Sequence, residues 1–293
     1  MVSYKILITG ANGLVGKALR SCLLKYNYNV IASGLGNDRF SILGGVYEEL
    51  DTTSLDSCEI IINRYRPDVI INAAALTNVD ECEKSKKSCI RINTNSVLNF
   101  IPLVEKYGIH FIQLSSDFVF SGKKGGYNET DVCAPVNYYG SSKLETEILL
   151  LKKLSNFTVL RTSLVYSGDN SRSNFLYWVK SSLEKKIELQ IVNDQFRTPT
   201  FVVDLEQAIL KVINMKKYGI YHISNGERLS VYQIVCTIAK HYNYNMNLIN
   251  KTNSKELSQI AKRPKDSSLL IDKAINDIDF KPTGLLQSLK LLS

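Results

Sequence analysis

The chain has 293 residues, of which 44% are hydrophobic, so it can bury a large core in one α/β domain or in a main domain with a smaller appendage. No apolar run reaches the roughly 20 residues of a transmembrane helix, and no basic segment precedes the first strand, so we expect no membrane contact and no signal peptide. Six scattered cysteines without Cys-x-x-Cys pairs predict reduced thiols in a cytoplasmic protein. The net charge of +8 is spread along the chain, which suits an anionic ligand or a solvated surface, and no nucleic-acid motif accompanies it.

The first predicted elements are a strand, a glycine turn and a helix within residues 5–16. The turn contains Gly10, Gly13 and Gly16 at three-residue spacing. Glycine lets a turn approach a diphosphate closely, and the amides at the helix N-terminus then face the negative charge. We therefore predict a dinucleotide site, with an ordinary strand-to-helix turn as the alternative. The predicted contacts in this turn are Gly10, Asn12, Gly13, Leu14 and Val15.

The second predicted strand, 29–33, bears on the choice of cofactor. An acid about 20 positions past the glycines would bind a ribose 2′-hydroxyl and repel a 2′-phosphate. Ser33 stands at that place instead, and Arg39 follows it. These residues favour NADPH. The nearby Asp38 leaves NADH open, and so does the alternative that Arg39 simply faces solvent.

Further cofactor contacts are predicted along the next strands and helices. A strand at 46–50 leads to Asp51, whose carboxylate either meets the adenine amino group or caps the following helix. The apolar segment 68–74 is typical of a central strand in a parallel sheet, and small residues at its end leave room for a ligand. A long helix is predicted over 90–107. The contacts predicted along this stretch are Asp51, Thr52, Ala73, Ala74, Ala75 and Asn93.

Candidate catalytic residues follow the strand predicted over 110–116. Ser116 ends that strand, and Tyr139 and Lys143 stand four positions apart at the start of a helix, on one face. A free phenol has a pKa of about 10, and a cation about 4 Å away favours the phenolate by about 4 kcal/mol in a partly screened site. We therefore predict that Lys143 brings the pKa of Tyr139 near 7, and that Ser116 holds a carbonyl oxygen. Tyr-x-x-x-Lys alone is weak evidence, but the preceding glycine turn and strand-end serine make the combination specific.

Several motifs that occur together in one family extend over nearly the whole chain. They are GANGLVG (10–16), NAAALTNVDECE (72–83), QLSSDFVFSG (113–122), NYYGSSK (137–143), LRTSLVY (160–166), NDQFRTPTFVVDL (193–205), GIYHISNGERLS (219–230) and RPKDSSL (263–269). The chain thereby resembles an extended short-chain dehydrogenase/reductase of the dTDP-4-dehydrorhamnose reductase group. The resemblance implies a catalytic triad of Ser116, Tyr139 and Lys143, with Lys143 also on the nicotinamide ribose and the backbone around Thr162 beside the nicotinamide.

The predicted fold is α/β, a doubly wound Rossmann-type parallel sheet with a smaller C-terminal α/β substrate lobe. We predict an NADP(H)-binding domain from residues 1–168 plus about 195–225, and a substrate-binding lobe from about 169–194 plus 226–293. The implied reaction is reduction of the 4-keto group of a nucleotide-linked 6-deoxyhexose, giving dTDP-L-rhamnose. The alternative is a non-catalytic nucleotide-binding subunit, because the regulatory subunit of methionine adenosyltransferase is similar in fold and keeps a Ser-Ser-Asp-aromatic-Val-Phe run.

The nucleotide sugar is expected to meet residues from both predicted domains. Two of them depart from the group's pattern, Phe118 where tyrosine is usual and Leu164 where tryptophan is usual. Arg197 and Arg263 are candidates for the diphosphate, and pairing with a surface acid is the alternative for Arg197. Some members of the family that the chain resembles have an acidic C-terminal segment that supports a magnesium-bridged dimer, and the tail at Leu292 and Ser293 lacks it, so we expect no metal. The apolar side of the helix at 174–185 leaves a homodimer open. The predicted substrate contacts are Thr77, Val79, Asp117, Phe118, Leu164, Asn174, Gln195, Arg197 and Arg263.

Overall fold

The computed structural model describes residues 4–170 and 174–293, so residues 1–3 and 171–173 of the predicted domains lie outside the described part. The strands are β1 (Lys5–Thr9), β2 (Asn29–Gly34), β3 (Val46–Glu49), β4 (Val69–Asn72), β5 (His110–Ser116), β6 (Phe157–Thr162), β7 (Val165–Tyr166), β8 (Leu189–Val192), β9 (Phe196–Arg197), β10 (Thr200–Phe201), β11 (Gly219–Ile223), β12 (Leu229–Ser230) and β13 (Ile249–Thr252). The helices are α1 (Leu14–Lys25), α2 (Leu55–Tyr65), α3 (Val79–Lys84), α4 (Lys86–Ile90), α5 (Ser96–Tyr107), α6 (Tyr138–Lys153), α7 (Phe175–Glu184), α8 (Val202–Asn214), α9 (Val231–His241), α10 (Asp272–Ile278) and α11 (Leu285–Leu291).

Seven strands form one parallel sheet in the order β11-β6-β5-β4-β1-β2-β3. The central strands β4 and β6 are buried along their whole length, because helices cover both faces of the sheet. One face packs against α1, α8 and α10, and the other against α2, α5 and α6. This arrangement confirms the predicted doubly wound Rossmann-type sheet.

The strand order reverses between β1 and β4. Crossovers leave these two neighbours in opposite directions, which opens a crevice at their carboxyl ends. The glycine turn follows β1, and the three alanines at 73–75 follow β4. The topology therefore brings two predicted cofactor segments to the same place.

Two predicted elements differ from those observed. The strand predicted over 157–166 ends at Thr162, since Leu164 has a φ of 44° and turns the chain toward β7, which pairs with β10. The helix predicted over 90–107 contains a π-helical turn at Arg91–Asn95, which carries Asn93. Periodicity of apolar residues does not reveal such an inserted turn, because the residues that it buries, Asn93 and Thr94, are polar.

The C-terminal region has its own apolar cluster, formed by α7, α9, α11 and strand β8. Strand β8 pairs with β13, and β9 pairs with β12, in two small sheets. Ala274, Ile278 and Phe280 pack instead against the large sheet, although we predicted this segment to lie in the substrate lobe. The two-domain division itself stays a prediction. No helix in the described part of the chain is both long and apolar enough to cross a bilayer.

Candidate functional site

The glycine turn after β1 forms a cradle that excludes side chains. Gly10 has a φ of 65°, and a Cβ there would lie 2.7 Å from the amide nitrogen of Ala74. A Cβ on Gly16 would overlap the Gly10 carbonyl oxygen, whereas a Cβ on Gly13 would lie 3.2 Å from it. Gly13 precedes α1 and supplies no side-chain cap, so side chains do not occupy the first amides of this helix. These features fit the diphosphate of a dinucleotide.

Asn12, within the cradle, organises the loop that follows β2. Its Nδ2 donates to the Tyr47 hydroxyl at 2.8 Å, and its Oδ1 accepts from the Arg39 amide at 3.0 Å. The Arg39 side chain is exposed, as a contact for a cofactor phosphate requires. Leu14 and Val15 are half-buried at the beginning of α1. Asn12 therefore connects the cradle with the loop that is expected to meet the adenosine ribose.

Two predicted cofactor residues, Ser33 and Thr162, have hydroxyls that are hydrogen-bonded to the backbone of neighbouring strands. Ser33 is fully buried, and its Oγ donates to the Ile8 carbonyl at 3.0 Å. Thr162 is also buried, and its Oγ1 donates to the Ser115 carbonyl at 3.3 Å. The Ser33 hydroxyl thus holds two strands together, and Ser33 stays a predicted cofactor residue.

The segment after β3 gives Asp51 a local role. Its Oδ1 accepts hydrogen bonds from the Thr53 amide and hydroxyl, at 2.9 and 2.8 Å. Ser54 caps α2, so the predicted alternative of an Asp51 cap is wrong. Thr52 is buried, and its carbonyl accepts from Asn99 Nδ2 at 2.9 Å. The half-buried Asp51 stays a predicted adenine contact.

Asn93 holds the segment that follows β4. Its Oδ1 accepts from the Leu76 amide at 2.7 Å, and its Nδ2 donates to the Leu76 carbonyl at 3.1 Å and to Ser142 Oγ at 3.0 Å. The side chain is buried and positions this segment, and Asn93 stays a predicted cofactor contact. The neighbouring alanines at 73–75 are half-buried, which leaves their surface available at the crevice.

Three predicted catalytic side chains converge at the carboxyl end of β5. Ser116 ends this strand. Asn137 caps α6, its Oδ1 accepting a backbone hydrogen bond of 2.8 Å, which places Tyr139 in the first turn and Lys143 one turn later. The Lys143 Nζ lies 5.9 Å from the centre of the Tyr139 ring and donates to the Leu114 carbonyl at 3.1 Å.

The electrostatics of this cluster keep the tyrosine protonated. Burial raises the pKa of Tyr139 above its ordinary value, while a hydrogen bond with Ser116 opposes that rise and the Asp117 carboxylate adds to it. Burial lowers the pKa of Lys143 to about 8. The predicted fall of the Tyr139 pKa toward 7 is therefore wrong for this structure, because loss of water around the phenol outweighs the ammonium. A tyrosine that holds its proton at neutral pH is suited to be a general acid.

Asp117 joins several elements beside the catalytic cluster. Its carboxylate accepts hydrogen bonds from Ser116 Oγ at 3.1 Å, from Ser163 Oγ at 3.0 Å and from Ser267 Oγ. Arg197 Nε lies 3.8 Å from Oδ2. Burial raises the pKa of Asp117, and the Arg197 charge opposes that rise. These partners satisfy the carboxylate inside the protein, and Asp117 stays a predicted substrate contact.

Comparison with known proteins finds similarity over nearly the whole chain. The family model described as the RmlD substrate binding domain matches residues 4–292. The chain belongs to this family. It is 30% identical to a dTDP-4-dehydrorhamnose reductase of Aggregatibacter actinomycetemcomitans, over 98% of this chain and 97% of that protein. The crystal structure of a dTDP-4-dehydrorhamnose reductase of Bacillus anthracis in complex with NADP has a TM-score of 0.88 and 28% identity, covering 99% of both chains. The methionine adenosyltransferase 2 subunit beta of Pongo abelii is 26% identical, over 90% of this chain and 80% of that protein.

Three predicted substrate residues of this RmlD family member have partners within the protein. Asn174 is buried and caps α7, and its Nδ2 donates to the Ser167 carbonyl at 2.7 Å. Gln195 Nε2 donates to Ser254 Oγ at 3.1 Å, and Gln195 Oε1 accepts from Arg197 Nη2 at 3.2 Å. All three are almost fully buried, so Asn174 has a structural role, and Arg197 pairs with a buried acid where a surface acid was the predicted alternative.

Four other predicted substrate residues are half-buried or exposed. Phe118 contacts the Tyr139 ring edge to face, with 6.1 Å between ring centres. Leu164, with its positive φ, and Val79 are half-buried, and Thr77 is exposed. These side chains present apolar surface and one hydroxyl to a ligand, and they stay predicted substrate contacts.

Arg263 connects the C-terminal region with α3. Its Nη2 donates to Asp80 Oδ2 at 3.0 Å, and Asp80 Oδ1 accepts from Arg263 Nη1 and from the Ala261 amide. Asn137, the cap of α6, donates to the Lys262 carbonyl at 2.9 Å. Residues 261–263 are thereby attached beside the catalytic helix. We call this contact the Asp80 latch.

Glu147 and Arg161 form a buried ionic cluster that was not predicted from the sequence. Glu147 accepts hydrogen bonds from Arg161 and, at 2.5 Å, from Ser115 Oγ. Neither the burial of Glu147 nor its pairing with Arg161 can be inferred from composition. One signal was available, because Glu147 stands four positions after Lys143 and therefore on the same helix face.

All six cysteines are unpaired thiols in the structure, and four of them are buried. Burial raises the pKa of Cys22 and of Cys58 to about 12. Among residues 4–170 and 174–293, no three His, Cys, Asp or Glu side chains group as metal ligands.

Proposed function

We propose that this protein is an NADPH-dependent oxidoreductase that reduces the 4-keto group of dTDP-4-dehydrorhamnose to give dTDP-L-rhamnose. The observation that carries the proposal is the convergence of Ser116, Tyr139 and Lys143 beside a glycine cradle at the switch point of the sheet. The 30% identity to a dTDP-4-dehydrorhamnose reductase over 98% of the chain supports the substrate.

The catalytic side chains divide the proton chemistry among them. NADPH supplies a hydride when bound. The Tyr139 phenol holds a proton at neutral pH and donates it to the developing alkoxide, while the Ser116 hydroxyl orients the carbonyl oxygen. The Lys143 ammonium stabilises the phenolate that remains, at 5.9 Å from the ring centre.

The cofactor proposal is supported by the cradle and by the NADP complex of the Bacillus anthracis reductase. Gly10, Gly13 and the first amides of α1 would hold the diphosphate. Arg39 would meet the 2′-phosphate, because it is exposed in a loop that Asn12 positions.

The nucleotide sugar is proposed to lie between the two predicted domains. Phe118 and Leu164 are suited to the apolar face of the 6-deoxyhexose. Thr77 is suited to a polar group of the sugar, and Arg263 to the diphosphate. A homodimer and a cytoplasmic location stay predictions that belong to this proposal.

The second candidate function is that of a non-catalytic regulatory subunit. The similarity to a methionine adenosyltransferase 2 subunit beta, at 26% identity over 90% of this chain, favours it. The complete Ser116, Tyr139 and Lys143 set argues for the enzyme.

Cofactor oxidation separates the two functions. The purified protein is incubated with NADPH and enzymatically generated dTDP-4-dehydrorhamnose, and the loss of NADPH absorbance is followed together with formation of the dTDP-deoxyhexose by chromatography. We expect one NADPH consumed per sugar reduced. Tight NADPH binding without oxidation, over several nucleotide-linked 4-keto sugars, would support the regulatory subunit instead.

A further inference from the structure

A buried arginine on α1 holds the one acid of the loop at 35–40. Arg20 is 1% exposed, and its Nη1 donates to both carboxylate oxygens of Asp38, at 2.8 and 2.9 Å. Its Nε and Nη2 donate to the Gly44 carbonyl at 3.1 and 2.6 Å. The guanidinium therefore makes contacts at both ends of the segment from 38 to 44.

Burying a guanidinium costs free energy unless it is paired and hydrogen-bonded, so this arrangement is a specific feature of the chain. Asp38 is held as an anion, because the hydrogen bond from Arg20 lowers its pKa. The Asp38 Oδ1 also accepts from the Phe40 amide at 2.9 Å, which fixes the carboxylate toward α1.

The same loop is held from its other side by the glycine cradle. Asn12 accepts from the Arg39 amide at 3.0 Å and donates to the Asn37 carbonyl at 3.1 Å. Asp38 lies between these two attachments, with its charge directed to Arg20. Arg39, next in the chain, keeps an exposed side chain.

An acid in the loop after the second strand of a Rossmann sheet is ordinarily the residue that binds a ribose 2′-hydroxyl and repels a 2′-phosphate. Here the acid, Asp38, is present, but its charge is neutralised by the Arg20 guanidinium on α1. We propose that Arg20 is a specificity-determining residue, which withdraws Asp38 from the ribose site and so lets this loop accept the 2′-phosphate of NADP(H). The inference rests on the proposed function only for the identity of the cofactor.

Direct binding tests the inference without turnover. Dissociation constants for NADPH and NADH are measured by nucleotide fluorescence for the unchanged protein and for Arg20→Met, Asp38→Asn and the double variant. Arg20→Met frees Asp38, and we expect the preference for NADPH over NADH to fall by about tenfold or more. Asp38→Asn is expected to keep the preference, and Asp38→Asn in the Arg20→Met background to restore it.

Arg20→Lys is a second test if Arg20→Met unfolds, since it retains the charge but cannot grip both carboxylate oxygens and the Gly44 carbonyl. We expect an intermediate preference. Two results would overturn the inference while leaving the proposed function intact. One is an equal loss of affinity for NADPH and NADH in Arg20→Met or Arg20→Lys. The other is a double variant with the same cofactor preference as Arg20→Met. If the unchanged protein binds neither nucleotide, the proposed function and the inference fail together.

Discussion

The Glu147 carboxylate and the Arg161 guanidinium form a buried ion pair, with 2.6 Å between Oε2 and Nη2. Glu147 lies one turn after Lys143 on α6, and Arg161 directly precedes Thr162 on β6. Because Glu147 also accepts from Ser115 beside the catalytic strand end, this pair fixes α6 against the strands that carry the site.

Glu147→Gln is expected to destabilise the protein by about 3–5 kcal/mol, because Arg161 would keep its charge in a buried place without a counter-ion. The turnover number should fall as well, since the catalytic helix loses its anchor. Urea unfolding and steady-state kinetics measure both effects. Glu145→Gln, at an exposed position of the same helix, is the matched control and should change stability by less than about 0.5 kcal/mol. Equal effects of the two variants would contradict the anchoring role.

The rate of the reduction should have an alkaline limb, a fall in rate with rising pH, that begins near pH 8. The Tyr139 proton is retained at that pH, since burial raises the pKa of its phenol, whereas the pKa of Lys143 is lowered to about 8. Activity should therefore be level near neutrality and fall by about tenfold per pH unit above the limb, as the ammonium is lost.

Glu147 gives this profile a specific test. Its negative charge raises the pKa of Lys143, so Glu147→Gln should move the limb to lower pH. A profile of kcat against pH measures the shift. A limb that stays in place in this variant would show that Lys143 does not govern it.

Two substitutions in the cradle should separate folding from cofactor binding. Gly16→Ala forces a Cβ into the Gly10 carbonyl and should cost about 1–3 kcal/mol of stability. Gly13→Ala meets the same carbonyl at 3.2 Å with an ordinary φ of −88°, so it should fold normally while weakening NADPH. Thermal unfolding and nucleotide titration measure the two effects, and a Gly16→Ala protein as stable as Gly13→Ala would refute the geometry.

The Asp80 latch offers a test of the predicted diphosphate contact. Arg263→Met and Asp80→Asn both break the latch, but only the first removes the cation. If Arg263 meets the substrate diphosphate, Arg263→Met should raise the KM for the nucleotide sugar by about tenfold and Asp80→Asn should not. An equal rise in both variants would assign Arg263 to the latch alone.

The sequence predicted the sheet and the catalytic trio because spacing reveals them. Gly10, Ser116 and Tyr139 occupy positions at strand ends or the first turn of a helix, where neighbours in sequence determine what a side chain faces. Glycine spacing likewise predicted the turn after β1, because that turn is local in the sequence, and the observed strand order then places it at the switch point of the sheet.

The internal partners of other residues could not be predicted, because those partners are distant in the chain. Ser33 and Asn93 have the polar side chains of ligand contacts, but each is buried against backbone groups 25 and 17 positions away. Arg20 and Glu147 were missed, since a buried charge looks like a surface charge until its partner is located. Tyr139 was predicted to be acidic from the nearby ammonium alone, whereas burial removes the water that would stabilise a phenolate.

The most direct measurement of the central claim compares Tyr139→Phe with Tyr138→Phe. Tyr138 is the adjacent half-buried tyrosine, whose ring lies 5.2 Å from the Lys86 ammonium and outside the catalytic cluster. With NADPH and dTDP-4-dehydrorhamnose, Tyr139→Phe should lose about 10²–10⁴-fold in kcat while binding NADPH normally, and Tyr138→Phe should stay active. Near-normal turnover in Tyr139→Phe would contradict the account, because no proton donor would then have been removed.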